Sequence, residues 1–235
     1  MSFTIDLTTS VSRCMFGQLV IGPPGSGKST YCRAIAHHLS TVIKRSVIIV
    51  NLDPANDQPP YDADVDVQNL IEVDEVMERL SLGPNGAILF CMEYIEENMD
   101  KLKELIVSQK AYVIFDCPGQ VELYTHHQSF RNIVEEITRK WGMQLCVVSI
   151  VDSHYCTDVS KFVSVLLTSL SSMMHLELPH INVLSKIDII EKMGPLAFKL
   201  DFYTEVLVRF LAYILLFYCI ILSLYKGIIL HTTNN

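Results

Sequence analysis

The sequence predicts an α/β fold, a mainly parallel Rossmann-like sheet flanked by helices. Three observations carry this reading. Short apolar or β-branched runs alternate with stretches of helical spacing along most of the 235 residues. One run, Phe16 to Ile21, leads straight into Gly22-Pro23-Pro24-Gly25-Ser26-Gly27-Lys28-Ser29-Thr30, and Thr30 to Leu39 then reads as a helix without Pro or Gly. That strand–loop–helix order is what the pattern G-x-x-x-x-G-K-[ST] requires of a P-loop NTPase. The glycines let backbone N–H groups turn inward around phosphate oxygens, and the helix directs its positive end to the same point. Lastly, the acidic and Ser-Lys motifs each follow directly on an apolar run, as ligand-binding residues do at the carboxyl ends of parallel strands.

Each element has its own signal. Ser46 to Asn51 is short and β-branched, a second buried strand, and Pro54 ends it, leaving Asp53 at its carboxyl end. Pro59 to Asp66, with two prolines and several carboxylates, reads as a loop. Val73 to Leu80 reads as a helix that Ser81-Leu82-Gly83-Pro84-Asn85-Gly86 breaks with a turn. Ala87 to Ser108 reads as helix in two pieces parted near Asn98. Tyr112 to Phe115 is an apolar strand running into Asp116-Cys117-Pro118-Gly119-Gln120-Val121-Glu122. A helix over His126 to Lys140 leads to a strand over Leu145 to Val151. A further helix, Val159 to Met174, leads to a strand over Ile181 to Leu184 and then to Ser185-Lys186-Ile187-Asp188.

Composition narrows the function classes. Half of the residues are hydrophobic, ample for a core, and the formal net charge of −8 without a basic stripe argues against direct nucleic-acid binding. Seven cysteines (Cys14, Cys32, Cys91, Cys117, Cys146, Cys156, Cys219) are scattered without a C-x-x-C pair. They read as reduced core thiols of a cytosolic or nuclear protein. The first thirteen residues hold no apolar h-region, so no signal peptide is expected.

The motifs specify chemistry. Gly22, Gly25, Ser26, Gly27 and Thr30 are expected around the phosphates, with Lys28 reaching the β- and γ-phosphates and the Ser29 hydroxyl on Mg²⁺. Asp116 suits the second acidic motif, holding Mg²⁺ through water, while Gly119 lets its N–H approach the γ-phosphate. Gln120 and Glu122 lie just beyond, where a group orienting the attacking water is needed. Asp53 fits a further Mg²⁺ contact or a water-activating base, and Asp-Pro is also a common turn start. Ser185-Lys186-Ile187-Asp188 selects the base: a carboxylate at Asp188 accepts from guanine N1–H and N2–H₂, and the Lys186 stem packs on the ring. Adenine lacks that donor pair, so the motif favours GTP and GDP. Gly83-Pro84-Asn85 reads as a plain turn on its own. Yet prolines at 23 and 24 leave the loop without an early lysine, no Arg adjoins a strand end, and charge on the transferred phosphoryl group must still be stabilised.

Gly22 to Cys32, Asn51 to Asn56, Leu82 to Gly86, Phe115 to Leu123 and Leu184 to Asp188 together resemble the GPN-loop GTPases. Val151 to Asp158 and Glu177 to Asn182 resemble the second eukaryotic branch of that family. The resemblance implies a dimeric, Mg²⁺-dependent GTPase, a homodimer or a heterodimer with a paralogue. In it Gly83-Pro84-Asn85 of one subunit enters the other's site, and Asn85 contacts the γ-phosphate or leaving phosphate. Asp53, Asp116, Gln120 and Glu122 would manage metal and water. It also implies RNA polymerase II subunits or assembly factors as partners, in the cytoplasm with shuttling to the nucleus.

The likeness runs from Phe16 to Leu207, so residues 1–207 read as a GTPase domain, incomplete at its C-terminus, and 208–235 as a divergent apolar tail. Phe210 to Tyr225 carries no charge across sixteen residues. That falls short of the roughly twenty needed to span a bilayer, and the tail reads as an aberrant end rather than a membrane anchor. The alternative to an active enzyme is a truncated form that binds or dimerises without efficient turnover.

Overall fold

A computed structural model describes residues 15–193, 196 and 198–205. The tail expected over 208–235, the first thirteen residues, Cys14 and Cys219 lie outside the described residues.

The predicted sheet is present and parallel throughout. Its strands are β1 (Phe16–Ile21), β2 (Val47–Asn51), β3 (Val65–Asp66), β4 (Tyr112–Asp116), β5 (Gln144–Asp152) and β6 (His180–Ser185). Their order is β3-β2-β4-β1-β5-β6, every neighbouring pair parallel. The helices are α1 (Lys28–Thr41), α2 (Val73–Leu80), α3 (Pro84–Glu97), α4 (Met99–Val107), α5 (Val121–Thr125), α6 (Gln128–Glu135) and α7 (Val159–Leu176). The central strands are apolar on both sides because both faces are covered. On one face α1 sets Tyr31, Ile35 and Leu39 against Val20, Ile49, Ile114 and Val148. On the other, Met92, Ile95, Leu102, Ile106, Phe130 and Ile133 cover Leu19, Val50, Val113, Phe115 and Val147. A smaller cluster joins Phe162, Leu166 and Leu170 of α7 to Cys156, Ile190 and Tyr203.

β1 lies between β4 and β5, so the loop that follows it sits centrally. Register sets Val20 beside Asp116, Asn51 beside Asp116, and Asp152 beside Ser185, which brings four motif-bearing strand ends to one edge of the sheet. α7 is the one helix among the described residues long and apolar enough to cross a membrane, yet Phe162, Leu166, Leu170 and Leu176 are buried against the fold. Cys32, Cys91, Cys117, Cys146 and Cys156 are free thiols, all but Cys146 buried.

Three local expectations change. The stretch Pro59 to Asp66 is not all loop: Val65 and Asp66 form β3 against Val50 and Asn51. Two residues are too few to show an alternating pattern, and their pairing comes from the sheet. Gly83-Pro84-Asn85-Gly86 is not a free turn but the opening of α3, with Gly83 extended as N-cap and Pro84 at N1. Proline is suited to that position, where its missing N–H has no helical partner. The helix expected over His126 to Lys140 is present as α6, Gln128–Glu135, continued by a π-helical turn over Glu136–Lys140, and the short α5 before it was not expected. No Pro or Gly separates α5 from α6; Tyr124 and Phe130, one on each helix, are buried and packed edge to face across the join. The break predicted near Asn98 is present, with Asn98 Nδ2 donating to the Tyr94 carbonyl at 2.9 Å.

Candidate nucleotide site

The phosphate loop is shaped by close approach. Gly22 has φ 149°, and a Cβ there would lie 2.3 Å from the Ile150 carbonyl oxygen, so only glycine fits between β1 and β5. The Ser26 N–H donates to the Pro23 carbonyl at 3.2 Å and closes the turn. Gly27, at φ 100°, caps α1 without a side-chain acceptor, leaving the first N–H groups of the helix directed at the loop. Lys28 Nζ folds back to the Pro23 carbonyl at 3.3 Å. The Ser26 hydroxyl is buried without a partner among the described residues. Ser29 and Thr30 begin the same helix. This is an anion cradle.

Two carboxylates face it. Asp116, at the end of β4, is 1% exposed. Its Oδ2 accepts from the Tyr61 hydroxyl at 2.7 Å, while its Oδ1 is buried and makes no hydrogen bond. Burial pushes its pKa up; the Ser29 hydroxyl, the Tyr61 phenol and the Lys28 ammonium oppose that rise. Asp53 follows β2 and accepts from the Ala55 N–H at 3.0 Å. Burial raises its pKa as well, countered by that N–H and by Lys28, with the Asp116 charge adding to the rise. Asn51 holds this corner, donating to Asp66 at 3.1 Å and accepting from the Asp53 N–H at 3.2 Å.

These groups fit Mg²⁺. Ser29, Asp53 and Asp116 present hard oxygen donors, and the unpartnered Oδ1 of Asp116 is an acceptor without an occupant on the protein side. Among the described residues no three His, Cys, Asp or Glu side chains form a closed metal cage. That suits an ion whose remaining ligands are water and phosphate oxygens.

The segment after β4 packs flush on the loop. A Cβ at Gly119 would lie 3.1 Å from Pro24 atoms, so a side chain there would push the two apart. Gln120 precedes α5 with its Oε1 buried and unpartnered, whereas Glu122, in the first turn, is exposed.

The base motif is stitched to the phosphate loop. Ser185 Oγ lies 2.7 Å from the Ser26 carbonyl oxygen and 3.1 Å from that of Val151. Lys186, at φ 57°, puts its ammonium 2.7 Å from Asp152 Oδ2, and its carbonyl accepts from Ser153 Oγ at 2.9 Å. Burial pushes the Asp152 pKa up, but the Lys186 ammonium and the His154 N–H outweigh it, and the net shift is downward. Asp188 lies in the first turn of the 3₁₀ helix Ile187–Met193 and is exposed.

Gly83, Pro84 and Asn85 stand apart. All three are exposed at the start of α3, which packs on α2 and α6. Among the described residues no hydrogen bond joins them to the phosphate loop.

Sequence reasoning missed Tyr61, Asn56 and Asp152 as site neighbours. Asp152 was discoverable, since it ends the β5 run as Asp116 ends β4. Asn56, whose Nδ2 lies 3.4 Å from Ser29 Oγ, ends the Asn51 to Asn56 motif but was given no role there, and Tyr61 comes from a loop that carries no pattern.

A family profile described as a conserved hypothetical ATP binding protein matches residues 20–213. GPN-loop GTPase 2 of Danio rerio is 58% identical over 193 residues, covering 82% of this chain and 61% of the relative. The chain belongs to the GPN-loop GTPase family. GPN-loop GTPase 2 of Saccharomyces cerevisiae is 46% identical over 195 residues, covering 81% of this chain and 56% of its own length. A GTPase from Pyrococcus abyssi, solved in apo form, superposes with a TM-score of 0.65 at 27% identity, over 76% of this chain and 69% of that one. The chain thus spans about three fifths of the length of its GPN-loop relatives.

Proposed function

We propose that this chain binds GTP with Mg²⁺ and hydrolyses it to GDP and phosphate as one subunit of a dimer. The observation that carries the reading is the join between its two halves. The Ser185 hydroxyl reaches the carbonyl of Ser26 inside the phosphate loop, so a base at Ser185-Lys186-Ile187-Asp188 and phosphates at Gly22–Thr30 belong to one ligand. The relatives' names, which specify GTPases, support guanine over the adenine suggested by the profile's description. The Asp188 carboxylate is the acceptor for the two guanine donors.

Each residue has a task. Backbone N–H groups of the loop and the start of α1 hold the phosphates, with Lys28 as the cation beside them. Ser29 and Asp116 would hold Mg²⁺, with Asp53 beside them; the metal supplies neutralisation of phosphate charge when bound. The buried amide of Gln120 suits orientation of the attacking water, with Glu122 at the rim. Asn85 acts on the partner subunit's nucleotide, consistent with its exposure and its lack of hydrogen bonds to its own loop. The partner is a second copy or a paralogue, and the cellular role is assembly and nuclear import of RNA polymerase II, in the cytoplasm with shuttling to the nucleus.

Equilibrium binding of GTP and ATP analogues tests the base assignment. The parent favours GTP, and Asp188→Ala loses about a hundredfold or more of that preference, as when a site built to hydrogen-bond a ligand is left unmatched. Equal affinities in the parent would remove guanine from the reading. A second reading is a subunit that binds nucleotide and dimerises without efficient turnover. Single-turnover hydrolysis with saturating GTP separates the two.

A further inference from the structure

The geometry points to Tyr61 as the residue that positions Asp116 for the metal, holding one carboxylate oxygen so that the other faces the cation. The assignment rests on the Mg²⁺-dependent nucleotide site proposed above. A carboxylate at a strand end turns about its terminal torsion with little hindrance, so some partner must choose which oxygen enters the site. The Tyr61 hydroxyl engages Oδ2 at 2.7 Å, and Oδ1 is left buried without a partner, the arrangement a cation or its water would complete. A phenol suits this task because it donates a hydrogen bond without adding charge. The carboxylate keeps its full attraction for a divalent ion, which a lysine in the same place would cancel.

Tyr61 is itself held on three sides. Pro59 and Pro60 fix backbone φ directly before it. Three residues after it, Asp64 ties the segment to β2 through two bonds: its N–H to the Ile49 carbonyl at 2.9 Å, and the Ile49 N–H to its Oδ2 at 2.8 Å. The ring packs against the cluster containing Cys32, Ile49 and Ile114. The same segment supplies Asn56 beside Ser29. The segment from Asn56, the last residue of the Asn51 to Asn56 motif, to Tyr61, which lies outside every motif, therefore reaches both Ser29 and Asp116. Outer partners of this kind orient metal ligands, and their loss typically weakens metal binding about 10–100-fold.

Tyr61→Phe removes only the hydroxyl and keeps the packed ring. Mn²⁺ binding, followed by electron paramagnetic resonance with a non-hydrolysable GTP analogue bound, is expected to weaken about tenfold or more. Affinity for the same analogue in EDTA, and the urea midpoint, stay close to the parent's. A purely structural hydrogen bond would lower the urea midpoint and leave Mn²⁺ binding alone. Pro60→Ala, which retains the phenol on a looser segment, gives a smaller loss in the same direction. Unchanged Mn²⁺ affinity in Tyr61→Phe overturns the assignment. Tighter binding overturns it too, because the phenol would then be competing with the cation. If the parent itself binds the analogue equally well with and without metal, the Mg²⁺ reading of the site fails first; if the parent needs metal and Tyr61→Phe matches it, only Tyr61 loses its role.

Discussion

Asp116 and Asn85 are both assigned to the same phosphate chemistry, yet they are built into the molecule in opposite ways. Asp116 is 1% exposed, sits at the end of a central strand, and is surrounded by Tyr61, Ser29 and Lys28 from two other segments. Asn85 is exposed at the start of α3, with Gly83 and Pro84 equally exposed before it. Asp116 is held within its own chain through one oxygen, by the Tyr61 hydroxyl, since a buried carboxylate with no partner at all is expensive. An exposed amide on a proline-fixed helix start gains nothing where it stands and is free to meet something else. The phosphate pocket is thus a cis construction, and the GPN segment is suited to a partner's pocket.

The largest expected effect falls on the buried side. Lys28→Ala and Asp116→Ala each lower single-turnover hydrolysis about a thousandfold or more, by removing charge aimed at the phosphates and the metal. Activity retained within tenfold in either variant would mean the cis pocket is misassigned. Asn85→Ala comes next, with a loss of about 2–4 kcal/mol in transition-state stabilisation, comparable to removal of one oxyanion donor. Its urea midpoint hardly moves, because the side chain is exposed. Mixing sharpens the contrast. Asn85→Ala and Lys28→Ala subunits are each inactive alone, but in a mixed dimer the Asn85→Ala subunit keeps its Lys28 and receives an intact loop, so one of the two sites recovers. Demonstrated mixed dimers without recovered hydrolysis would return Asn85 to its own subunit. The smallest effect is that of Pro84→Ala. It loses about 0.5–1 kcal/mol of stability by freeing the unfolded chain, and slows turnover less than Asn85→Ala does.

The sheet and the phosphate loop were legible because their signals are local. Val73 to Leu80 and Phe16 to Ile21 match the observed α2 and β1 residue for residue. What escaped depends on contacts across the chain. β3 is strand only because Val50 and Asn51 lie beside Val65 and Asp66. The five-residue α5 is too short for a helical pattern, and it is tied to the core by burial of Leu123 and Tyr124. Gly83-Pro84-Asn85 was recognised as a motif but misplaced as a turn, since Gly-Pro suits a turn and a helix start equally until the following residues are seen to pack. Tyr61 gave no signal, because a lone tyrosine after two prolines is ordinary loop sequence.

The hydrogen bond from Ser185 to Ser26 links residues 159 apart in the chain. During synthesis the phosphate loop leaves the ribosome early, together with β1 and α1, but the strand that buttresses it comes last of the six. Closing so long a loop is entropically slow, and contacts of this span are made late in folding. The nucleotide pocket is therefore completed only after nearly all of the sheet has formed. A nucleotide bound at the finished pocket would add its binding free energy to the stability of the whole fold at that last step.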